Sequence, residues 1–332
     1  MHDLYPLRFT PILKERVWGG KRLGNDLGKS IPSASTIGES WEISGMEGYE
    51  SVVSNGFLSG NNINELVEVY MGDLVGEQIY ERYGDEFPLL VKLIDASRNL
   101  SVQVHPDDKM AAEEHHAFGK TELWYIMEAE EGASLFCGFR DGVTREHYLD
   151  AVSSGTIESL LNRITVKSGE WLFVPAGMVH SIGKGILLAE IQQPSDITYR
   201  IYDWDRGDGP TPGRELHTGL AEKAIDFNLI GEKGVRLPGD SRDVITIADN
   251  RYFRVSIVTV NDIMRREYAL LDSFVAILCT RGKLRVESAE ASETLNRGES
   301  LLLPATSENA LFTPVSGGCE FLEISVPTGD SQ

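Results

Sequence analysis

Only three cysteines, Cys137, Cys279 and Cys319, stand in 332 residues. None forms a CxxC pair, and an odd number cannot pair completely. A cysteine zinc site and a disulfide scaffold are therefore not expected, and a reducing, cytoplasmic compartment is. Long apolar runs are missing as well. None approaches the ~20 residues that a membrane helix needs. The first residues, MHDLYPLRFTP, lack the basic stretch and apolar core of a signal peptide. Positive charge is also in short supply: 31 Lys and Arg against 51 Asp and Glu, a net charge of −20. Phosphate backbones demand surplus cations, so nucleic acid is excluded as a partner. A few focused cations would still serve a small anionic ligand.

What is present is a globular composition, 41% hydrophobic, in a chain long enough for two domains. The stretch ESWEISGMEGYESVVSNG reads as a strand pair. Asn62 followed by Glu65 makes a capping box, which predicts a helix over about 62–83 ended by Gly84. PLLVKLIDA and NLSVQVHP read as strands, and residues 106–117 as a short helix with acids in its first turn. ELWYIMEAEEGASLFCGF reads as a hairpin, and residues 144–163 as two short helical segments. The pattern then returns to β, passes through a mixed connector at 218–240, and stays β to the end. Within it lies a repeat. SGEWLFVPAGMVHSI (Ser168 to Ile182) and RGESLLLPATSENAL (Arg297 to Leu311) share a turn, an apolar strand and a Pro-Ala. The first copy holds His180; the second has Glu308 nearby and no histidine. Many short strands with glycine turns point to sandwiches or barrels.

In NLSVQVHPDD, Val102 and Val104 alternate with Gln103 and His105, so the polar pair shares one strand face. Glu122 opens the next β run, and His180 ends a Gly-x5-Pro-x-Gly-x2-His stretch that begins at Gly169. These four residues offer nitrogen and oxygen donors suited to Zn²⁺. A hydrogen-bonded core histidine fits the same positions. His115 and His116, adjacent on a helix, point in different directions and read as exposed.

Gly169 to His180 is similar to the second conserved motif of cupins. SVQVHPDD, GKTELWYI and AEIQQPSDITYRIYDWDR together resemble type I mannose-6-phosphate isomerases of the shorter bacterial branch. The resemblance covers nearly the whole chain and is strongest from Pro88 to Arg206. It implies a mainly β fold of two cupin-type barrel or jelly-roll units, with a few helices added to the first. The catalytic unit would span 1–240, and a metal-free cupin-like unit 241–332. It further implies one Zn²⁺ per chain on Gln103, His105, Glu122 and His180, which would turn the Gln103/His105 face toward the metal. Arg200, Glu190 and Lys120 fall at catalytic positions, and Lys92, Ser101 and Arg206 where the family binds phosphate. Arg206, in the acid-rich YDWDRGDG, also reads as surface charge. Lys92, amid apolar residues, needs a partner. Longer relatives carry a histidine just before the lysine at 120; here Gly119 stands there, so that histidine cannot move the proton. Their long helical insertion shrinks here to 144–163.

The implied reaction interconverts mannose 6-phosphate and fructose 6-phosphate, moving a proton between C2 and C1 through a cis-enediolate. A metal would polarise the carbonyl. Lys120 and Arg200 would hold the developing charge, and Glu190 would shuttle the proton, ahead of a zinc-bound water. The partner is a small sugar phosphate, with neither nucleic acid nor membrane, and the chain acts as monomer or homodimer. Two rivals remain: a cupin Fe(II) oxygenase, which would call for more histidines, and an inactive sugar-binding or regulatory cupin, which would show a broken ligand or a missing Arg200.

Overall fold

Alternating apolar positions dictate strands, and the strands bury their apolar faces by packing sheet on sheet. The computed structural model describes residues 4–32, 35–206, 213–237, 242–288 and 291–329. The first pair of sheets holds seven and five strands. The larger runs Lys233–Gly234, Trp171–Val174, Glu122–Ala129, Ile186–Gln192, Leu90–Ala96, Ile37–Ser44, Ile12–Gly20. The smaller runs Tyr199–Tyr202, Val102–Val104, His180–Ile182, Ser134–Phe139, Leu161–Thr165. The second pair holds five and four strands, drawn from Val244 to Ser325. The fold is mainly β and cupin-like, as expected, with open sheets rather than closed barrels.

Both expected strand pairs are corrected. Glu122–Ala129 and Ser134–Phe139 lie in different sheets. The turn between them carries the chain across the sandwich, because Trp124 and Ile126 on one side and Leu135 and Cys137 on the other bury into one core cluster. Ile37–Ser44 is buried at every position and pairs with Ile12–Gly20 and Leu90–Ala96. The short Val52–Val53 instead pairs with Phe9–Thr10.

The Asn62 capping box is present: its side chain accepts from Glu65 N, and Glu65 Oε2 accepts from Asn62 N, both at 2.9 Å. The helix it starts is broken into Ile63–Tyr70, Gly72–Val75 and Glu77–Tyr83, with Met71 at φ 47° and Gly76 at φ 103° between them. Asp108–His115 is capped by Asp107, and Arg145–Ser154 leads into the 3₁₀ turn Ile157–Leu160. The repeat is a structural one. Gly169 (φ 85°) and Gly298 (φ 81°) make matching turns. Each is followed by a strand in the larger sheet, a proline, and a strand in the facing sheet. Asn309 stands where the first copy has His180.

The largest apolar cluster joins the two pairs of sheets, with Leu7, Val91, Leu123 and Ile191 packed with Phe253, Phe274 and Leu322. Each fully buried side chain of this size contributes ~1.5–3 kcal/mol. Leu7 and Leu302 exchange backbone hydrogen bonds of 2.8 and 2.9 Å. Among the described residues, no helix is long and apolar enough to cross a membrane.

Candidate active site

Val102 and Val104 are fully buried in a cluster with Phe136, Tyr148 and Tyr199. That sends Gln103 to the opposite face, where it pairs in register with His180. Gln103 Nε2 lies 3.3 Å from His180 Nε2. His105 follows on the same side, and Glu122 opens a strand of the facing sheet. One ligand atom from each of His105, Glu122 and His180 falls within 4.8 Å of the others, and all three residues are buried. Alternation along that strand also puts Trp124 beside Glu122. Its ring meets His180 edge-on at 5.3 Å.

The donors are set for a cation. His105 Nδ1 lies 2.7 Å from Ile197 O, and His180 Nδ1 2.8 Å from Met178 O. A carbonyl only accepts, so each Nδ1 carries the proton and each Nε2 keeps its lone pair. Burial pushes both imidazoles well below their usual range, with Lys120 adding to this at His105 and His105 at His180. Glu122 Oε2 is buried without a hydrogen-bond partner, a costly state for a carboxylate oxygen. Lys120 Nζ donates to Glu122 Oε1 and sits 3.2 Å from His105 Nε2, so the cluster already draws positive charge. Neutral imidazoles and an orphaned carboxylate oxygen fit a divalent metal, while the Gln103 oxygen accepts from Ser101 Oγ at 3.2 Å.

Beside the cluster opens a cavity of about 510 Å³. Lys92, Ser101, Gln103, Lys120, Glu190 and Arg200 all line it. Glu190 Oε1 accepts from Lys92 Nζ at 3.0 Å, its Oε2 from Trp124 Nε1 at 2.9 Å, and Lys120 Nζ stands 3.9 Å away. Burial opposes ionisation of Glu190, but Lys92 and Lys120 outweigh it and hold the carboxyl below its usual range. Burial lowers the Lys120 ammonium to about 7, against the pull of Glu190. Arg200 Nε reaches Ser101 Oγ at 3.3 Å, and its Nη1 reaches Glu215 O at 2.8 Å.

Arg206 is not brought to this cavity. Its guanidinium is held by Asp203 and by the Asn99 carbonyl. Arg214 shares Asp203 with it and does line the cavity, as do Arg16, Glu39 and Trp41. Glu39 accepts from Arg16 Nε at 3.0 Å and from Trp41 Nε1 at 2.8 Å. Trp124 and Trp41 were within reach of strand alternation from Glu122 and Glu39. Arg214 follows a glycine- and proline-rich stretch with no period to place it. Gly119 has no room for a side chain: a Cβ would lie 2.6 Å from Asp108 N. His115 and His116 are exposed, as expected.

Comparison with known proteins gives the family. Residues 7–139 match the phosphomannose isomerase type I catalytic domain. Mannose-6-phosphate isomerase ManA of Bacillus subtilis is 38% identical over 302 residues, 90% of this chain and 93% of that one. The mannose-6-phosphate isomerase of Streptococcus mutans is 34% identical over 92% of this chain and 95% of its own. The crystal structure of the mannose 6-phosphate isomerase from Bacillus subtilis superposes with a TM-score of 0.85, covering 98% of this chain and all of that one at 32% identity. With 34–38% identity over nine-tenths or more of both chains, and the catalytic-domain match, the chain belongs to the type I phosphomannose isomerases.

Proposed function

We propose that this chain interconverts mannose 6-phosphate and fructose 6-phosphate, with residues 1–240 as the catalytic unit. The observation that carries the reading is the His105/Glu122/His180 cluster set beside a cavity lined by Lys120, Arg200 and Arg214. Gln103, His105, Glu122 and His180 would hold Zn²⁺, which when bound supplies Lewis acidity toward a substrate oxygen. Residues 241–332 contain no histidine and are proposed to bind no metal.

The chain's own groups account for the rest. Arg214 and Ser101 are placed to take the phosphate, and Lys92 to fix Glu190 rather than to bind the substrate directly. Anchoring one end of the sugar phosphate positions C1 and C2. Arg200 carries positive charge into a partly enclosed space, where it stabilises oxygens that gain charge in an enediolate, and Lys120 joins it once it holds the substrate proton. The proton between C1 and C2 needs a group whose basicity matches the working pH. Glu190, with both oxygens accepting hydrogen bonds, is a weaker base than its position in the sequence promised. Lys120 lines the same cavity beside the His105/Glu122/His180 cluster, and burial pushes its ammonium down. We assign the transfer to Lys120, with Glu190 holding it in place.

Chelation should abolish turnover of mannose 6-phosphate, and Zn²⁺ should restore it. Full activity in verified metal-free protein would reject the reading.

A further inference from the structure

Asp108, the first residue of the helix Asp108–His115, divides its carboxylate between the two pairs of sheets. Oδ1 accepts from the Gly119 backbone N–H at 3.1 Å and from Gln193 Nε2 at 2.7 Å. Gln193 Oε1 in turn accepts from the Thr121 backbone N–H at 2.9 Å. The backbone N–H groups of the two residues that flank Lys120 are therefore held by one carboxylate, Gly119 directly and Thr121 through Gln193. Oδ2 faces the other way. It accepts from Arg251 Nη2 and from Tyr252 OH, each at 2.8 Å. Both donors sit in the turn between the strands Val244–Asp249 and Arg254–Val260, in the second pair of sheets. The turn is itself fixed, since Asn250 Oδ1 accepts from Tyr252 N and Phe253 N. Gly119 permits the close approach, because any Cβ there would strike the Asp107–Asp108 backbone.

We propose that this turn sets the position of Lys120 through Asp108, which makes Asp108, Arg251 and Tyr252 positioning residues for the isomerase reaction. The second pair of sheets then contributes to turnover without presenting a group to the substrate. The remaining backbone ties on the segment are Lys120 N to Pro106 O at 3.1 Å, Gln193 N to Thr121 O at 3.3 Å and, at the Thr121 side chain, Ala176 N to Thr121 Oγ1 at 3.3 Å. All three come from within the first pair of sheets and leave Gly119 N to Asp108 alone. Charge-assisted hydrogen bonds are the strong ones. With both Oδ2 donors gone, the carboxylate is free to turn toward water and release Gly119 and Gln193. The consequence for turnover rests on the function proposed above; the geometric claim does not.

The test is the double variant Arg251→Gln, Tyr252→Phe, at a site where the Arg251 side chain is largely exposed. Amide exchange at Gly119 and Thr121 should quicken about tenfold while Leu123 and Trp124 stay protected, a local opening and not a global one. The kcat should fall about tenfold, since small misplacements of a reacting group are costly. KM and bound metal should stay as in the unaltered protein. Arg251→Lys with Tyr252 retained keeps a cationic donor and should restore both readouts. Unchanged exchange at Gly119 and Thr121 overturns the proposal whether or not the chain isomerises the sugar. Faster exchange with unchanged kcat in an active enzyme overturns its catalytic consequence. An inactive unaltered chain rejects the function instead, and the exchange measurement still decides the positioning.

Discussion

Lys92 Nζ lies 3.0 Å from Glu190 Oε1, and the two residues are direct partners across antiparallel strands. Both side chains are about 95% shielded from solvent. The Trp41 ring stands 5.3 Å from the same ammonium, and Trp124 takes the other oxygen of the carboxylate. Each charge supports the other, with Lys120 adding to Glu190 and Glu39 to Lys92.

Removing one partner should therefore cost far more than removing both. Lys92→Met is expected to destabilise the fold by about 3–5 kcal/mol in urea denaturation, the usual cost of orphaning a buried charge. Lys92→Met combined with Glu190→Leu should recover most of that loss. A single-variant cost near zero would contradict the pair as described.

Glu122→Gln should weaken metal binding by at least about tenfold, in the range seen when a metal site loses a supporting group. Equilibrium dialysis against Zn²⁺ measures it. Far-UV circular dichroism should be unchanged, because Glu122 Oε2 accepts no hydrogen bond that holds the fold.

Arg214→Ala should raise KM for mannose 6-phosphate by roughly 10–100-fold, the equivalent of one charge-assisted hydrogen bond of about 1.5–3 kcal/mol. Arg206→Ala should raise it less, because both guanidinia bind Asp203 but only that of Arg214 lines the cavity. Steady-state kinetics on the two variants decide the order.

Glu39 gives a pH dependence. Burial raises its pKa, but Lys92 and Arg16 outweigh that and hold it below the usual range. A depressed folded-state pKa stabilises above the unfolded value, about 4.3, and that contribution is lost as pH falls through the folded value. The stability difference between the unaltered chain and Glu39→Gln should be largest near neutrality and shrink below about pH 4. Urea midpoints at several pH values check it; a difference that grows with acid would reverse the sign.

Much of the site could be read in the residues, and what escaped had physical reasons. Gln103, His105, Glu122 and His180 stood out because period-two alternation and a glycine-proline turn place side chains locally. The capping box at Asn62 was equally local. The hairpin expected over residues 122–139 failed because alternation says that a strand has an inner face, not which sheet it joins. The long helix failed at Met71 and Gly76, where positive φ interrupts an otherwise good apolar period. Arg214 reaches the cavity through a segment without period, and Glu190's weakened basicity comes from Lys92, 98 positions away. No window of sequence contains both.

The bridge between Leu7 and Leu302 has a consequence for synthesis. Leu7 finds its hydrogen-bonding mate only after a further 295 residues (302 − 7) have been made. At ~5–20 residues per second that is a delay of roughly 15–60 s. During that interval Leu7 and the apolar groups around it have no cover from the later strands. The nascent chain should be a client for chaperones, and a transcript cut short before Leu302 should yield aggregate instead of a free-standing catalytic half.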